Sequence, residues 1–175
     1  LQSDTIAIQG ISQYINSEVK GGDNGDSITI SSGALTNTIV EGNKGADTIS
    51  VATTAATNGS VGGGAGHDTI RVAAGGNSAG MYAGAGNDLV RYTAGRGTIV
   101  GGGLADTISV GAGFAGKIYG DANNVTTIGE GTGGLADGAD LITAAANFNV
   151  ASINTTIAAA GGDDTIFLIA FVASA

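Results

Sequence analysis

The sequence predicts an all-β fold, a parallel β-solenoid of the β-roll or β-helix kind with about seven turns of about 20 residues. Three observations predict it. Glycine supplies 33 of the 175 residues, far above the usual ~7%. An Asp that stands two residues before an aliphatic side chain recurs at Asp4, Asp26, Asp47, Asp68, Asp88, Asp106, Asp140 and Asp164, with spacings of 22, 21, 21, 20, 18, 34 and 24. A short run with period-two alternation follows each Asp.

Each element of the repeat follows from its residues. In Asp47-Thr48-Ile49-Ser50-Val51 and Asp68-Thr69-Ile70-Arg71-Val72, aliphatic residues alternate with polar ones, as in a strand with one buried face. The strands Thr48–Val51, Thr69–Val72, Leu89–Tyr92 and Thr107–Val110 are expected to stack in register, with Ile49, Ile70, Leu89 and Ile108 pointing inward. About half a period later come Ser60-Val61, Met81-Tyr82, Thr98-Ile99-Val100 and Lys117-Ile118-Tyr119, a second strand. Gly/Asn turns such as Ala73-Ala74-Gly75-Gly76-Asn77 join the two. The expectation is two parallel sheets facing each other across a narrow core. A helical reading fails, because Gly, Thr, Val and Ile are poor helix formers. Residues 1–175 read as one solenoid domain, and the long gap after Asp106 reads as a turn plus a loop insertion within 121–138.

Composition narrows the function. Trp, Pro and Cys are absent, which removes a disulfide framework, thiolate metal sites and proline-rich linkers. Aromatic residues are 5% of the chain, so the core must be thin and aliphatic, as stacked turns allow. The net charge is −9, with six Lys and Arg, which argues against nucleic acid as a partner. No apolar run approaches the ~20 residues of a transmembrane helix. Without an initiator Met or signal peptide, the chain is expected to begin inside a larger or processed polypeptide.

The glycines and aspartates form a motif. Gly63-Gly64-Ala65-Gly66-His67-Asp68-Thr69-Ile70 fits GGxGxDxUx, where U is a large aliphatic residue, and Ala83-Gly84-Ala85-Gly86-Asn87-Asp88-Leu89-Val90 is nearly as good. Gly42-Asn43-Lys44-Gly45-Ala46-Asp47 keeps the first and fourth glycines. Asn24 stands at the fourth position before Asp26, and Leu104, a poorer fit, before Asp106. On these residues the chain resembles the repeats-in-toxin (RTX) family of secreted calcium-binding proteins, in a degenerate form such as occurs in bacterial surface-layer proteins. The resemblance implies Ca²⁺ held at Asp26, Asp47, Asp68, Asp88 and Asp106 and by the loops of Gly42, Gly45, Gly63, Gly64, Gly66, Gly84 and Gly86, with weaker sites at Asp26 and Asp106. The family repeats its motif about every nine residues, whereas here it recurs about every 20, which implies one calcium edge at most.

Elementary electrostatics points the same way. Equivalent Asp residues on turns ~4.8 Å apart repel by roughly 3 kcal/mol per pair at an effective dielectric of 20. Carboxylates and glycine-loop carbonyls make an all-oxygen environment that suits Ca²⁺. The competing reading is that each Asp accepts hydrogen bonds from its own loop's N–H groups, without metal.

Other candidates read as structural. His67, the only histidine, is expected in a solvent-facing loop, and Tyr82, Tyr92 and Tyr119 as packing residues rather than a sugar platform. Thr48, Thr69, Thr107 and Thr165 form an outward Thr row, too irregular for ice binding. The apolar stretch from Asp164 to Ala175 resembles the ends of proteins exported by type I secretion, and as a final strand it would cover the open end of the core. No site gathers distinct catalytic residue types. The expected function is therefore a non-catalytic, calcium-binding structural module of an extracellular or cell-surface assembly, such as a surface layer or filament. Its partners would be copies of itself or other subunits of that assembly. The alternatives are a viral fibre or decoration protein, and the calcium-dependent folding module of a secreted hydrolase or adhesin.

Overall fold

The structure is a computed structural model that describes residues 2–52, 55–73, 79–112, 114–121, 138–145 and 156–168. Its described secondary structure is all strand, coiled into a parallel β-solenoid. Strands are numbered in chain order. An eight-stranded sheet contains β1 (Thr5–Ile8), β4 (Ser27–Ile30), β7 (Thr48–Ala52), β10 (Thr69–Ala73), β12 (Leu89–Tyr92), β14 (Thr107–Val110), β16 (Leu141–Ala144) and β18 (Thr165–Leu168). A seven-stranded sheet contains β3 (Glu18–Asp23), β6 (Ile39–Lys44), β9 (Ser60–Ala65), β11 (Ala79–Ala85), β13 (Gly95–Gly103), β15 (Phe114–Asp121) and β17 (Thr156–Ala158). All strand pairs within these sheets are parallel, each strand adding one rung.

The expected register holds. Thr48, Thr69, Leu89 and Thr107 are successive partners in the eight-stranded sheet. From Asp26 to Asp140 the residues two places after each Asp form the inward ladder: Ile28, Ile49, Ile70, Val90, Ile108 and Ile142 are all 0% exposed. Leu89 corrects the expected ladder. It stands level with Thr69 and Thr107 on the outward row, and Val90 takes the inward place. The reason is the two-residue period: the offset from the Asp, not the size of the first aliphatic residue, decides which face is buried. Across the core, Val40, Val61, Met81, Ile99 and Ile118 form the facing ladder from the seven-stranded sheet.

A third sheet replaces the expected simple turn in the early coils. β2 (Gln13–Ile15), β5 (Ala34–Thr36) and β8 (Ala55–Thr57) pair in parallel, placing Tyr14 and Leu35 in the core. Each of its strands ends one residue before an Asn with positive φ: Asn16 (49°), Asn37 (48°) and Asn58 (51°). Asn tolerates this left-handed corner, and the Asn37 side-chain amide donates to Asn16 Oδ1 at 3.1 Å. In the later coils Tyr92 and Phe114 fill the interior edge to face, with ring centroids 5.5 Å apart. The region read as an insertion, and the apolar stretch after Leu168, fall mostly on 122–137 and 169–175, outside the described residues, as does the turn at 74–78.

Candidate functional site

The Asp column lies where each coil passes from the seven-stranded to the eight-stranded sheet. Asp68, Ile70 and Val72 alternate on one strand face, so the carboxylate continues the inward aliphatic row. Asp26, Asp47, Asp68, Asp88 and Asp106 are at most 3% exposed. The column thus stands inside the coil, capping the core at its corner.

One oxygen of each carboxylate is satisfied by the neighbouring rung. The Asp26 N–H donates to Asp47 Oδ1 at 2.6 Å, Asp47 N–H to Asp68 Oδ1 at 2.7 Å, and Asp68 N–H to Asp88 Oδ1 at 2.6 Å. Asp88 N–H donates to Asp106 Oδ1 at 2.8 Å, and Asp106 N–H to Asp140 Oδ1 at 2.9 Å. The donors come from the adjacent rung and not, as expected of a turn Asp, from the residue's own loop. The chain of bonds also runs from Asp4 N–H to Asp26 and from Asp140 N–H to Asp164. Asp26 and Asp106 are therefore interior members of the column and not its ends.

The other oxygen has no donor. Oδ2 of Asp26, Asp47, Asp68, Asp88 and Asp106 is buried without a hydrogen-bond partner. Each first motif glycine makes room for it. A Cβ on Gly42 would fall on both Asp47 Oδ2 and the Gly63 carbonyl oxygen, and one on Gly63 on Asp68 Oδ2 and the Ala83 carbonyl. On Gly21 the same point lies 2.5 Å from Asp26 Oδ2 and 2.8 Å from the Gly42 carbonyl oxygen. A carboxylate oxygen and a carbonyl oxygen of the next rung thus close together on the glycine Cα–H, with no N–H or O–H donor reaching Oδ2. Only the Asp88 rung differs, with the buried Ala83 at the first position.

Burial raises the acidities. Desolvation pushes the carboxyl of Asp68 up to about 7, that of Asp88 to about 6 and that of Asp106 to about 8, and raises Asp47 as well. The N–H bond from the preceding rung opposes the shift in each case, and neighbouring carboxylates add to it at Asp47, Asp68 and Asp106.

The remaining motif glycines shape the backbone around the column. Gly64 and Gly84 at the second position, and Gly45, Gly66 and Gly86 at the fourth, have positive φ. Gly66 shows the constraint: φ is 137°, and an added Cβ would run into the Gly45 carbonyl. Leu104 holds the fourth position at φ 71° with its side chain 44% exposed. A left-handed conformation costs a non-glycine residue roughly 1–2 kcal/mol, and glycine's extra unfolded entropy returns about half of that. Leu104→Gly is therefore expected to stabilise the chain by about 0.5–1 kcal/mol, read as a rise of a few degrees in melting temperature.

The oxygens fit a hard cation. Half of the ~4.8 Å rung spacing is about 2.4 Å, within the Ca²⁺–oxygen range, and the Oδ2 atoms and next-rung carbonyls that face the motif glycines are hard oxygen ligands. Among the described residues no three acidic or histidine side chains converge on one point, so backbone carbonyls would complete the shell. His67 is exposed, and its Nδ1 accepts the Asn87 N–H at 2.9 Å as part of an outer corner ladder. Of the tyrosines, Tyr92 is buried in the core, while Tyr82 and Tyr119 lie two rungs apart on the outward side of the seven-stranded sheet. Sequence reasoning missed that the Asp shares the inward face. The even offsets of Asp68, Ile70 and Val72 carried that signal. It also missed the Asn corner, although Asn16, Asn37 and Asn58 recur every 21 residues.

A scan against protein-family models, a search of curated proteins and a search of solved structures each found no match to this chain. No described helix is long and apolar enough to cross a membrane.

Proposed function

We propose that the chain is a non-catalytic structural module of an extracellular or cell-surface assembly, and that calcium neutralises its interior Asp column. The observation that carries this reading is the run of five buried carboxylates, each with one oxygen that no protein donor reaches. Asp26, Asp47, Asp68, Asp88 and Asp106 would hold the ions together with glycine-loop carbonyls. The ion supplies charge neutralisation, which the buried column needs before it can be ionised and folded together. High calcium outside a cell would then favour the folded coil, and a low-calcium interior would not. On the last described rung, Ile166, Phe167 and Leu168 are 44%, 57% and 44% exposed, and self-association or docking of another assembly subunit there would bury apolar surface.

Thermal melts at neutral pH test the proposal. Millimolar Ca²⁺ is expected to raise the melting temperature over excess chelator, with Mg²⁺ much less effective. Binding at a hundredfold excess over Kd stabilises by about 2.7 kcal/mol per site. Asp68→Asn should reduce the calcium increment. Identical curves in calcium and chelator would overturn the proposal and leave protons as the neutralising species.

A further inference from the structure

The outward face of the eight-stranded sheet carries a charge opposite to that of the chain. Its two outward rows are read directly from the register. One runs Thr5, Ser27, Thr48, Thr69, Leu89, Thr107, Leu141, Thr165. The other runs Ala7, Thr29, Ser50, Arg71, Arg91, Ser109, Thr143, Phe167. Neither row contains a carboxylate, in a chain with a net charge of −9.

The two arginines are direct partners on adjacent rungs, and both side chains are exposed. Like charges directly opposite one another in a sheet are destabilising. Compensation exists elsewhere in the molecule: Lys20 pairs with Glu18 and Glu41, and Lys44 with Asp23. Among the described residues neither Arg71 nor Arg91 has such a partner. Beside Arg91 the sheet forms an open groove of about 420 Å³, lined in part by Leu89, Thr107, Ser109 and Thr143.

We infer that this face binds a uronate-bearing polysaccharide, one carboxylate of which is clamped between Arg71 and Arg91 while the flanking hydroxyls bond to the sugar. The guanidinium fork recognises a carboxylate through paired N–H bonds, and an anion between the two arginines removes their repulsion. The Thr and Ser rows offer donors and acceptors at each rung to a ligand rich in hydroxyls. Two cations are too few for tight attachment to an anionic membrane or a nucleic acid, where affinity grows with the number of charges met. The two rows also lack the aromatic side chains that stack bases, apart from Phe167 on the last described rung.

The test is calorimetric titration of the full 175-residue chain with a hyaluronan oligosaccharide. A neutral chitin oligosaccharide of equal length and a single-stranded oligonucleotide serve as controls. Arg71→Ser and Arg91→Ser place on these rungs the residue already present at Ser50 and Ser109, so melts of the variants should match or exceed the parent. Hyaluronan binding is expected, falling with salt, weakened about tenfold or more by either substitution and abolished by both. Arg71→Lys keeps the charge without the fork and should also weaken binding. Absence of hyaluronan binding, binding that survives the double substitution, or an oligonucleotide that binds as tightly as hyaluronan would each overturn the inference.

Discussion

In excess chelator the chain is expected to melt at a higher temperature at pH 5 than at pH 8. The buried Asp carboxyls set this direction. Their folded-state values, about 7 for Asp68, about 6 for Asp88 and about 8 for Asp106, lie above the ordinary carboxyl value near 4. The folded chain therefore binds more protons than the unfolded chain through this window. Stability is fully present below about pH 4 as far as these groups are concerned, and is lost as pH rises through about 6 to 8. The three shifts act in the same direction, so their effects on stability reinforce one another. Ionising the metal-free column is therefore expected to weaken the fold. If calcium binds as proposed, it would oppose this slope, because it competes with protons for the same oxygens and gains as they leave. The expected result is a pair of curves of melting temperature against pH that meet at low pH and diverge as pH rises, falling in chelator and flat or rising in calcium. A flat profile from pH 5 to pH 8 in chelator would show that the ionised column is satisfied by its N–H donors alone.

Ile70→Asp is expected to unfold the chain or to destabilise it by about 4 kcal/mol or more. Ile70 is 0% exposed, with Ile49 and Val90 as its partners on the rungs to either side. Asp68 stands two residues earlier on the same face and is tolerated, since its Oδ1 receives the Asp47 N–H at the corner. At Ile70 the surrounding backbone donors belong to the sheet ladder, and a carboxylate there would meet only aliphatic side chains. Arg71→Ser, one residue on and facing solvent, should change stability by no more than about 0.5 kcal/mol. Chemical denaturation of the two variants beside the parent decides the matter. A larger loss at Arg71 than at Ile70 would reverse the face assignment.

These two residues show how alternation alone separates inside from outside. Given a period near 20 and strands with period-two patterning, Ile49, Ile70 and Ile108 fall inward, while Thr48, Arg71 and Ser109 fall outward. Applied strictly, the same rule also places Val90 and the Asp column inward, since an offset of two from the aliphatic ladder puts the carboxylates on the buried face, but sequence reasoning did not carry it that far. Leu89 misleads because a large aliphatic residue at an outward position resembles a core residue when it is read without its rung.

The sequence by itself determined the parallel solenoid, the strand register and the residues that form the Asp column, because a fixed repeat leaves little freedom in how rungs stack. The tertiary structure alone decided what each carboxylate meets. A hydrogen bond from the Asp47 N–H to Asp68, an Oδ2 set against a carbonyl of the next rung, and Arg71 level with Arg91 all join residues about 20 apart in the chain. Such contacts depend on rung height and coil cross-section. The cross-section itself changes along the molecule, from coils with a third sheet and an Asn corner to the shorter coil between Asp88 and Asp106. Local propensity encodes the strands and the corners. Which donor reaches which oxygen is fixed only when neighbouring coils have closed on one another.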